Sequence, residues 1–578
     1  MGALAMDGRS VRRVRFVAAE QGPAALADLA AQVSFSAPLG GVVDPADAAR
    51  EYLGRVLALD AATRTSFESA APLPETVFAG VQASKLTGTN VVRFTQEHAA
   101  IPVFGSHMLV EVGAAGQLIA VDAEVATVID VSAAPTIEPA AAAAAIARLA
   151  GVEPAALVIV EAPTLMFFQD DVDGDGVVDR WHLVWRFARV PIAPVEADHR
   201  HAGKGHGRSP RLHNAEFDYL VDAHDGTVVF HHSRTPRAQA EAMPAVPIRC
   251  TGLDEAGAVQ EFYGQASDGG FTLVDPLRKL RTVDLRGGDI GASKIKVPKE
   301  AIEHASADFG AEHRAAVSAH VNVGRVLDFY RSVFMRDGVD DRGMEIVSVV
   351  NCIAAEDEDP PSWTNAIWWD NRMWYGQRPA PDGRMRSLSV ALELVGHELT
   401  HGIIERTSDL IYKGMSGALN ESFADIIGVI VANWYGAGPD AIDRWSWAFG
   451  AELGAEWRPL RDLQDPKRTG DPDHMKDYLR TRDDDGGVHT NSNIHNKAAY
   501  LVLTATEADG SRSLTTREVA VLYYLCLVRL PQRPTFARTL RGLLDVAAQY
   551  FVGDAAMQAR KLAAIEAAYA RVGVTPGA

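Results

Sequence analysis

The segment SLSVALELVGHELTHGIIERTS contains two histidines four residues apart, His397 and His401, with Glu398 directly after the first. It contains no proline and its apolar residues recur with helical spacing, so it predicts an α-helix. Because residues four apart lie on one face of a helix, both imidazoles can bind a single metal ion. A glutamate at this position can reach a water molecule at the metal, an arrangement typical of catalytic zinc sites.

A second group of polar residues follows in SGALNESFADIIG, where Glu421 and Asp425 are again four residues apart. Carboxylates on an otherwise apolar helix are costly to bury unless they are paired or bind a metal. Glu421 is therefore predicted to be the third protein ligand beside His397 and His401. Asp425 and Asn420 are predicted to accept hydrogen bonds from the free ring nitrogens of the two histidines.

These two segments, HELTHG and NESFAD, resemble the signature of the thermolysin family. Further blocks resemble the same family, and the matched blocks extend from about residue 245 to the C-terminus: AAVSAHVNVGRVLDFYRSVF (315–334), NAIWWDNRMWYG (365–376), RDLQDPKRTGDPDH (461–474) and DDDGGVHTNSNIHNKAAYLV (483–502). The resemblance implies an α+β, two-lobed catalytic domain with one catalytic zinc ion in the cleft. It also implies a metalloendopeptidase that acts on peptides or proteins.

The first part of the chain resembles the precursor segments of that family. VRFTQEHAAIPVFGSHMLVEV resembles the fungalysin/thermolysin propeptide module, and WHLVWRF with FDYLVDAHDGTVV resembles a PepSY module. Such segments assist folding and inhibit the enzyme until they are cleaved, which implies a zymogen with an α+β propeptide as intramolecular inhibitor. The predicted domains are a propeptide module (1–133), a PepSY-like module (134–232), a linker with a processing site (233–247), a β-rich N-lobe (248–406) and a helical C-lobe (407–578).

Local patterns predict several elements of this precursor part. Residues 91–121 alternate as a hairpin does, with breaks at Gly105 and Gly116, and the Ala-rich residues 137–150 predict a helix. LVIVEAPTLMFF, WHLVWRFARV and EFDYLVDAHDGTVVF predict strands, the last containing an Asp-Gly turn.

The resemblance assigns the remaining catalytic roles. Glu398 is expected to take a proton from water and return it to the leaving amine. His489 and Tyr412 are expected to donate hydrogen bonds to the oxyanion, and Asp484 is expected to orient His489. The Gly-Gly pair at 486–487 predicts a flexible loop that presents His489 to the cleft.

The resemblance also implies the residues that bind substrate. Asn365 and Ala366 would pair with the peptide backbone as an added strand, and Arg461 would hold a peptide carbonyl with its fork of donors. An apolar pocket after the scissile bond predicts cleavage before bulky apolar residues, and its lining is predicted to include Leu394, Phe449 and Leu460.

The family's double calcium site is predicted to be absent here. Ala432 stands where a glutamate is expected, and the expected carboxylate positions in RWSWAFGAEL hold Ser446, Ala448 and Ala451. Glu393 remains, but one carboxylate does not supply the 6–8 oxygen ligands that calcium takes.

The precursor part contains a different calcium candidate, DVDGDGVVD, whose candidate ligands are Asp171, Asp173, Asp175 and Asp179. The twelfth loop position holds His182 instead of the usual bidentate glutamate. A calcium loop and an acidic turn between two strands are both compatible with this pattern.

Composition excludes other classes of function. The net charge of −19 over 578 residues argues against a nucleic-acid partner, because phosphate binding needs basic surfaces. The three cysteines form no metal-binding pair. No apolar run approaches the length of a membrane span. A monomer is expected. No apolar stretch follows the N-terminal arginines, so no signal peptide is recognised and the compartment stays open.

Two alternative functions fit part of this pattern. A catalytically silent protein on a peptidase scaffold is disfavoured because every named catalytic position is filled. A zinc hydrolase acting on other bonds is disfavoured by the peptide-binding residues Asn365, Ala366 and Arg461.

Overall fold

The computed structural model describes residues 11–18, 44–62, 73–126, 129–159, 161–170, 178, 180–192, 216–234, 246–292, 295–454 and 458–576. The chain divides into two compact units, residues 1–190 with 218–231 and residues 191–217 with 232–578. The candidate calcium ligands Asp171, Asp173, Asp175 and Asp179 and most of the predicted linker lie outside the described residues.

The first unit begins with an antiparallel sheet in the order β1-β6-β5-β3-β2, with β4 paired to β3. Its strands are β1 (Val11–Val17), β2 (Glu75–Ser84), β3 (Thr89–His98), β4 (Ile101–Pro102), β5 (His107–Gly113) and β6 (Leu118–Ala126). Helix α1 (Pro45–Ala62) buries Ala49, Leu53 and Val56 on one face, at helical spacing, against the apolar face of this sheet. The predicted strand pattern of 91–121 is confirmed, and the predicted breaks at Gly105 and Gly116 adopt positive φ.

Helix α2 (Pro139–Leu149) confirms the helix predicted at 137–150. A second antiparallel sheet follows, in the order β10-β9-β8-β7. Its strands are β7 (Thr164–Asp170), β8 (Arg180–Val190), β9 (Glu216–Asp222) and β10 (Val228–Arg234). The strand predicted at LVIVEAPTLMFF is confirmed for TLMFF, where β7 begins at Thr164, and is wrong for the described residues 157–159 and 161–163, where Val158 is exposed.

The second unit begins with two sheets. Their order is β16-β13-β12-β11-β17 in one and β14-β15-β18-β20-β19 in the other, where β21 also pairs with β20. The strands are β11 (Ile248–Leu253), β12 (Val259–Ser267), β13 (Gly270–Thr272), β14 (Val274–Asp275), β15 (Leu280–Asp284), β16 (Glu303–His304), β17 (Asp308–Phe309), β18 (Ile346–Val350), β19 (Trp363–Trp369), β20 (Arg372–Pro379) and β21 (Met385–Ser387). Strand β19 lies at the edge of its sheet, where another strand can pair with it.

Helices dominate the rest of this unit. They are α3 (Arg314–Phe334), α4 (Leu392–Glu405), α5 (Gly414–Tyr435), α6 (Asp484–Leu503), α7 (Thr516–Leu527), α8 (Phe536–Tyr550) and α9 (Ala555–Arg571), and the short strands β22 (Ala448–Phe449) and β23 (Arg461–Asp462) pair between α5 and α6. The mixed α+β class with a β-rich first half and a helical second half is thereby confirmed.

Helices α4 and α5 approach each other at two glycines. A Cβ atom on Gly396 would lie 3.0 Å from the Cα of Gly428, and one on Gly428 would collide with the carbonyl oxygen of Glu393. This close approach places the polar residues of α5 directly against the histidines of α4.

Among the described residues one helix, α5, is long and apolar enough to cross a membrane by length and composition. The expectation of no membrane span stays a prediction, because a buried core helix passes the same test of length and composition. Within the second unit, 89% of the apolar stretch of α5 is buried, as is typical of an apolar helix in a protein core.

Candidate metal and catalytic site

The two histidines of α4 and Glu421 of α5 converge on one point. Nε2 of His397 lies 2.9 Å from Nε2 of His401. The Glu421 carboxylate oxygens lie 3.6 Å from Nε2 of His397 and 3.4 Å from Nε2 of His401. Ligands around a tetrahedral zinc ion, with bonds of about 2.1 Å, are separated by about 3.4 Å. The two distances to Glu421 match this spacing, and the distance between the two histidine nitrogens is shorter.

The outer ring nitrogens determine where the imidazole protons lie. Nδ1 of His401 is 2.8 Å from Oδ1 of Asn420, whose own Nδ2 donates to the carbonyl of Leu410. Nδ1 of His397 is 2.9 Å from Oδ1 of Asp425. Both neighbours are acceptors and favour a proton on Nδ1, which leaves the Nε2 lone pairs facing each other. Such a pair needs a shared cation, and two imidazoles with one carboxylate are a donor set that suits zinc.

Asp425 is fixed by a buried ion pair with Arg461. Nε and Nη2 of Arg461 donate to the two carboxylate oxygens at 2.6 and 2.5 Å, and Nδ2 of Asn496 adds a bond of 2.8 Å. Burial alone would raise the pKa of Asp425, but the Arg461 charge and the contact with His397 lower it to about 2. Asp425 is therefore a permanent anion behind His397.

Glu398 lies on α4 beside the ligands but contacts a different element. Its Oε2 accepts the backbone N–H of Trp368 in β19 at 2.8 Å, and the residue is 7% exposed. Burial raises the pKa of its carboxyl to about 7, despite the opposing charge of His397. A carboxyl with a pKa near neutrality can both accept and return a proton.

Tyr412 and His489 lie on the other side of Glu421. The Tyr412 hydroxyl donates to Oε1 of Glu421 at 2.6 Å and is 3.2 Å from Nε2 of His489. Nδ1 of His489 is 2.6 Å from Oδ1 of Asp484. Burial lowers the pKa of His489, but the charges of Glu421 and Asp484 outweigh it and raise the pKa to about 9. His489 is therefore a cation at neutral pH.

The expected flexible loop before His489 is instead the kinked beginning of α6. Asp484, Asp485, Gly486 and Gly487 all have φ between 50° and 95°, and His489 begins the regular helix after them. These residues form a tight turn, in which Asp484 Oδ2 also accepts the His489 N–H at 2.9 Å, and the expected flexibility of this segment stays a prediction.

The predicted substrate residues occupy three places. Asn365 and Ala366 lie on the edge strand β19, where the Asn365 side chain accepts the Ala366 N–H at 2.9 Å. Phe449 packs 5.1 Å from the His397 ring and 4.8 Å under the Arg461 guanidinium. The other two pocket residues are Leu394, which is buried in α4, and Leu460, which donates its N–H to Phe449.

A carboxylate that sequence reasoning missed lies against Glu393. Oε2 of Glu452 accepts the Leu392 N–H at 3.0 Å, and the Glu452 backbone N–H lies 3.5 Å from Oε1 of Glu393. Glu393 is 3% exposed, and its Oε2 has no hydrogen-bond partner among the described residues. Glu452 comes one position after Ala451, where a carboxylate was expected, so allowing an offset of one residue would have revealed it.

Burial and the Glu452 charge raise the pKa of Glu393 to about 8, so the folded protein keeps this proton at neutral pH. The unfolded chain loses it near the usual value of 4.5. Stability therefore falls as pH rises from about 4.5 to 8. We expect Glu393→Gln to raise stability by about 3–5 kcal/mol at pH 9 and to leave it nearly unchanged at pH 4. Thermal melting across this pH range measures the effect.

Added calcium provides the control. If this carboxylate pair bound calcium, millimolar calcium would raise the melting temperature of the wild type and not that of Glu393→Gln. That calcium result would contradict the predicted absence of the double calcium site. If Glu393→Gln also failed to raise the melting temperature at pH 9 without calcium, the proposal that Glu393 keeps its proton at neutral pH would be contradicted as well.

Comparison with known proteins identifies the family. Residues 249–405 match the thermolysin metallopeptidase catalytic domain, residues 408–574 match its alpha-helical domain, and residues 81–125 match the Fungalysin/Thermolysin Propeptide Motif. Bacillolysin of Bacillus cereus is 33% identical over 45% of this chain and 44% of its own length. Neutral protease B of Bacillus subtilis is 29% identical over 62% of each chain.

A solved structure, the precursor of the metalloproteinase protealysin from Serratia proteamaculans, is 28% identical with a TM-score of 0.40 and covers 51% of this chain and 87% of its own. The chain spans 44% and 62% of the lengths of the two curated relatives above. The two thermolysin models are adjacent and together cover more than half of the chain, and each contains part of the site. The chain therefore belongs to the thermolysin metallopeptidase family, and this membership implies a catalytic zinc ion.

Proposed function

We propose that this chain is a zinc metalloendopeptidase made as a zymogen. The observation that carries the proposal is the convergence of His397, His401 and Glu421, with their lone pairs facing one point and Glu398 beside it. These three residues would hold the zinc ion. A zinc ion bound there would polarise a carbonyl and make water more acidic.

The protein's own groups would then carry the proton and the charge. Glu398 takes the proton of the attacking water and returns it to the amine that leaves. Tyr412 and the cationic His489 donate hydrogen bonds to the oxygen of the scissile carbonyl as negative charge develops on it. Asp484 holds the His489 ring, while Asp425 and Asn420 hold the rings of the two histidine ligands.

The edge strand β19 supports a peptide as the substrate. A peptide added beside Ala366 would take over the N–H that now donates to Asn365, and it would run past Glu398, which already contacts the same strand at Trp368. Phe449, Leu394 and Leu460 would accept an apolar side chain after the scissile bond. We therefore propose cleavage before bulky apolar residues.

The precursor organisation is proposed on the match at 81–125 to the family's propeptide motif. Residues 1–133 would form the fungalysin/thermolysin-type module and residues 134–232 the PepSY-like module. Both modules would assist the folding of the catalytic lobes at 248–406 and 407–578 and would inhibit them. Processing would occur within 233–247. No nucleic-acid partner and no oligomer is proposed.

The test uses the full-length protein with zinc and a mixed peptide library at neutral pH, with mass spectrometry of both the peptides and the chain. Cleavage before Leu and Phe and self-cleavage between residues 231 and 250 are expected. A chelator should stop both reactions, and added zinc should restore them. If peptides survive before and after limited trypsin treatment, the protein is a silent scaffold; if esters are cut but peptides are not, it is a different zinc hydrolase.

A further inference from the structure

A second group of metal-ligating side chains lies away from the proposed catalytic centre in sequence. It consists of His304 on β16 and of Glu312 and His313 in the 3-10 turn Ala311–His313 directly before α3. The three side chains offer ligand atoms that all lie within 4.8 Å of one another. None of these residues belongs to the chemistry proposed above.

The distances within the group are those of ligands around a common centre. Oε1 of Glu312 lies 3.7 Å from Nε2 of His304 and 3.7 Å from Nε2 of His313. Both separations are longer than a hydrogen bond, so the carboxylate does not satisfy either ring nitrogen directly. They are close to the spacing of about 3.4 Å between tetrahedral ligands with metal bonds of about 2.1 Å. A small change in side-chain torsions would complete the coordination.

The surroundings hold the two rings in place. Phe309 packs against both imidazoles, with ring centroids 5.4 Å from His304 and 5.6 Å from His313. Nδ1 of His304 is 3.0 Å from the carbonyl of Ser306, which favours a proton on Nδ1 over the competing, longer contact of 3.3 Å with the Ser306 N–H. Nε2 of His304 is then free to bind a metal.

We propose that His304, Glu312 and His313 form a second metal site that takes a divalent transition metal such as zinc. Two imidazoles and one carboxylate suit zinc, whereas calcium and magnesium prefer oxygen ligands. The histidine side chains are 26% and 20% exposed and Glu312 is 63% exposed, so an ion can enter from solvent and a water can fill the fourth position.

A metal here would join the strand β16 to the turn that begins α3. Helix α3 in turn contacts α4, since the Tyr330 hydroxyl lies 2.7 Å from Oγ1 of Thr400, and Asn322 donates to the carbonyl of Ser389 in the turn before α4. The site would therefore stabilise the N-lobe from its surface without taking part in peptide hydrolysis.

Zinc counting on the full-length protein tests the proposal. Each variant also carries Glu398→Gln, which prevents loss of material by self-cleavage, and each is equilibrated with buffered zinc before the bound metal is measured. The parent should hold one zinc equivalent more than the double variant His304→Gln/His313→Gln. His98→Gln, which removes an exposed imidazole from another part of the chain, should bind as much zinc as the parent.

Glu312→Gln is a second test that should not disturb folding, because this exposed side chain contributes little to the core. Glu312→Gln should raise the Kd for zinc at the second site by tenfold or more, while the circular dichroism spectrum stays unchanged. Cobalt added in place of zinc should give a second set of visible absorption bands that the double variant lacks. Equal zinc counts in the parent and the double variant would overturn the proposal, whatever the outcome for peptide cleavage.

Discussion

Glu398→Gln is expected to lower kcat for peptide hydrolysis by about 10²–10⁴-fold, the range that general acid–base catalysis contributes. The amide cannot take a proton from water, but its oxygen can still accept the Trp368 N–H that now binds Oε2 of Glu398. The fold and the zinc content should therefore stay unchanged. Steady-state kinetics on a peptide with a Phe after the scissile bond, together with metal analysis, measure both quantities.

Glu405→Gln is the matched control for this experiment. Glu405 is a second carboxylate on α4 and accepts from the indole of the same residue, Trp368, at 3.3 Å, whereas Glu398 accepts from the Trp368 backbone N–H. Its replacement should leave kcat within about twofold, as expected for a partly exposed side chain away from the reacting atoms. Full turnover by Glu398→Gln would remove Glu398 from the mechanism.

Arg461→Met is expected to destabilise the second unit by about 3–5 kcal/mol, because it leaves the buried carboxylate of Asp425 without its cation. Asp425 positions the His397 ring, so zinc affinity should also fall by about 10–100-fold. Chemical denaturation and competition with a zinc chelator measure the two effects.

Arg468→Met is the control in the same segment. Arg468 pairs with the buried Asp462 at 2.7 Å, but the Arg468 side chain is 65% exposed. Asp462 also accepts the backbone N–H groups of Gln464 and Asp465, so it keeps partners when Arg468 is replaced, and the expected loss is about 1 kcal/mol. The role that the family resemblance gives Arg461, holding a peptide carbonyl, makes a different prediction for Arg461→Lys. A rise in KM with unchanged stability and zinc affinity would show that Arg461 acts on the substrate and does not support Asp425.

The sequence predicted the parts of the site that lie on single helices. His397, Glu398 and His401 share one turn of α4, and Glu421 and Asp425 share one turn of α5, so helical spacing alone placed them on common faces. The apolar residues around them also predicted burial correctly.

Contacts between distant segments were not predictable in the same way. Arg461 reaches Asp425 from β23, and Glu452 reaches Glu393 from a 3-10 turn, so neither pair has a spacing rule in the sequence. The tight turn at 484–487 was not predictable, because adjacent glycines suit both a flexible loop and a turn of positive φ. Only the fold distinguishes these two uses of glycine.

The contact between Gly396 and Gly428 also limits how this protein can be engineered. Replacing helical glycines with alanine is a routine route to heat resistance, since it removes a propensity penalty of about 1 kcal/mol per residue. At these two positions the added methyl group would push α4 and α5 apart and move Glu421 away from the histidines. The helices give up intrinsic helix propensity in return for proximity, so a library aimed at thermostability should keep both glycines and mutate elsewhere.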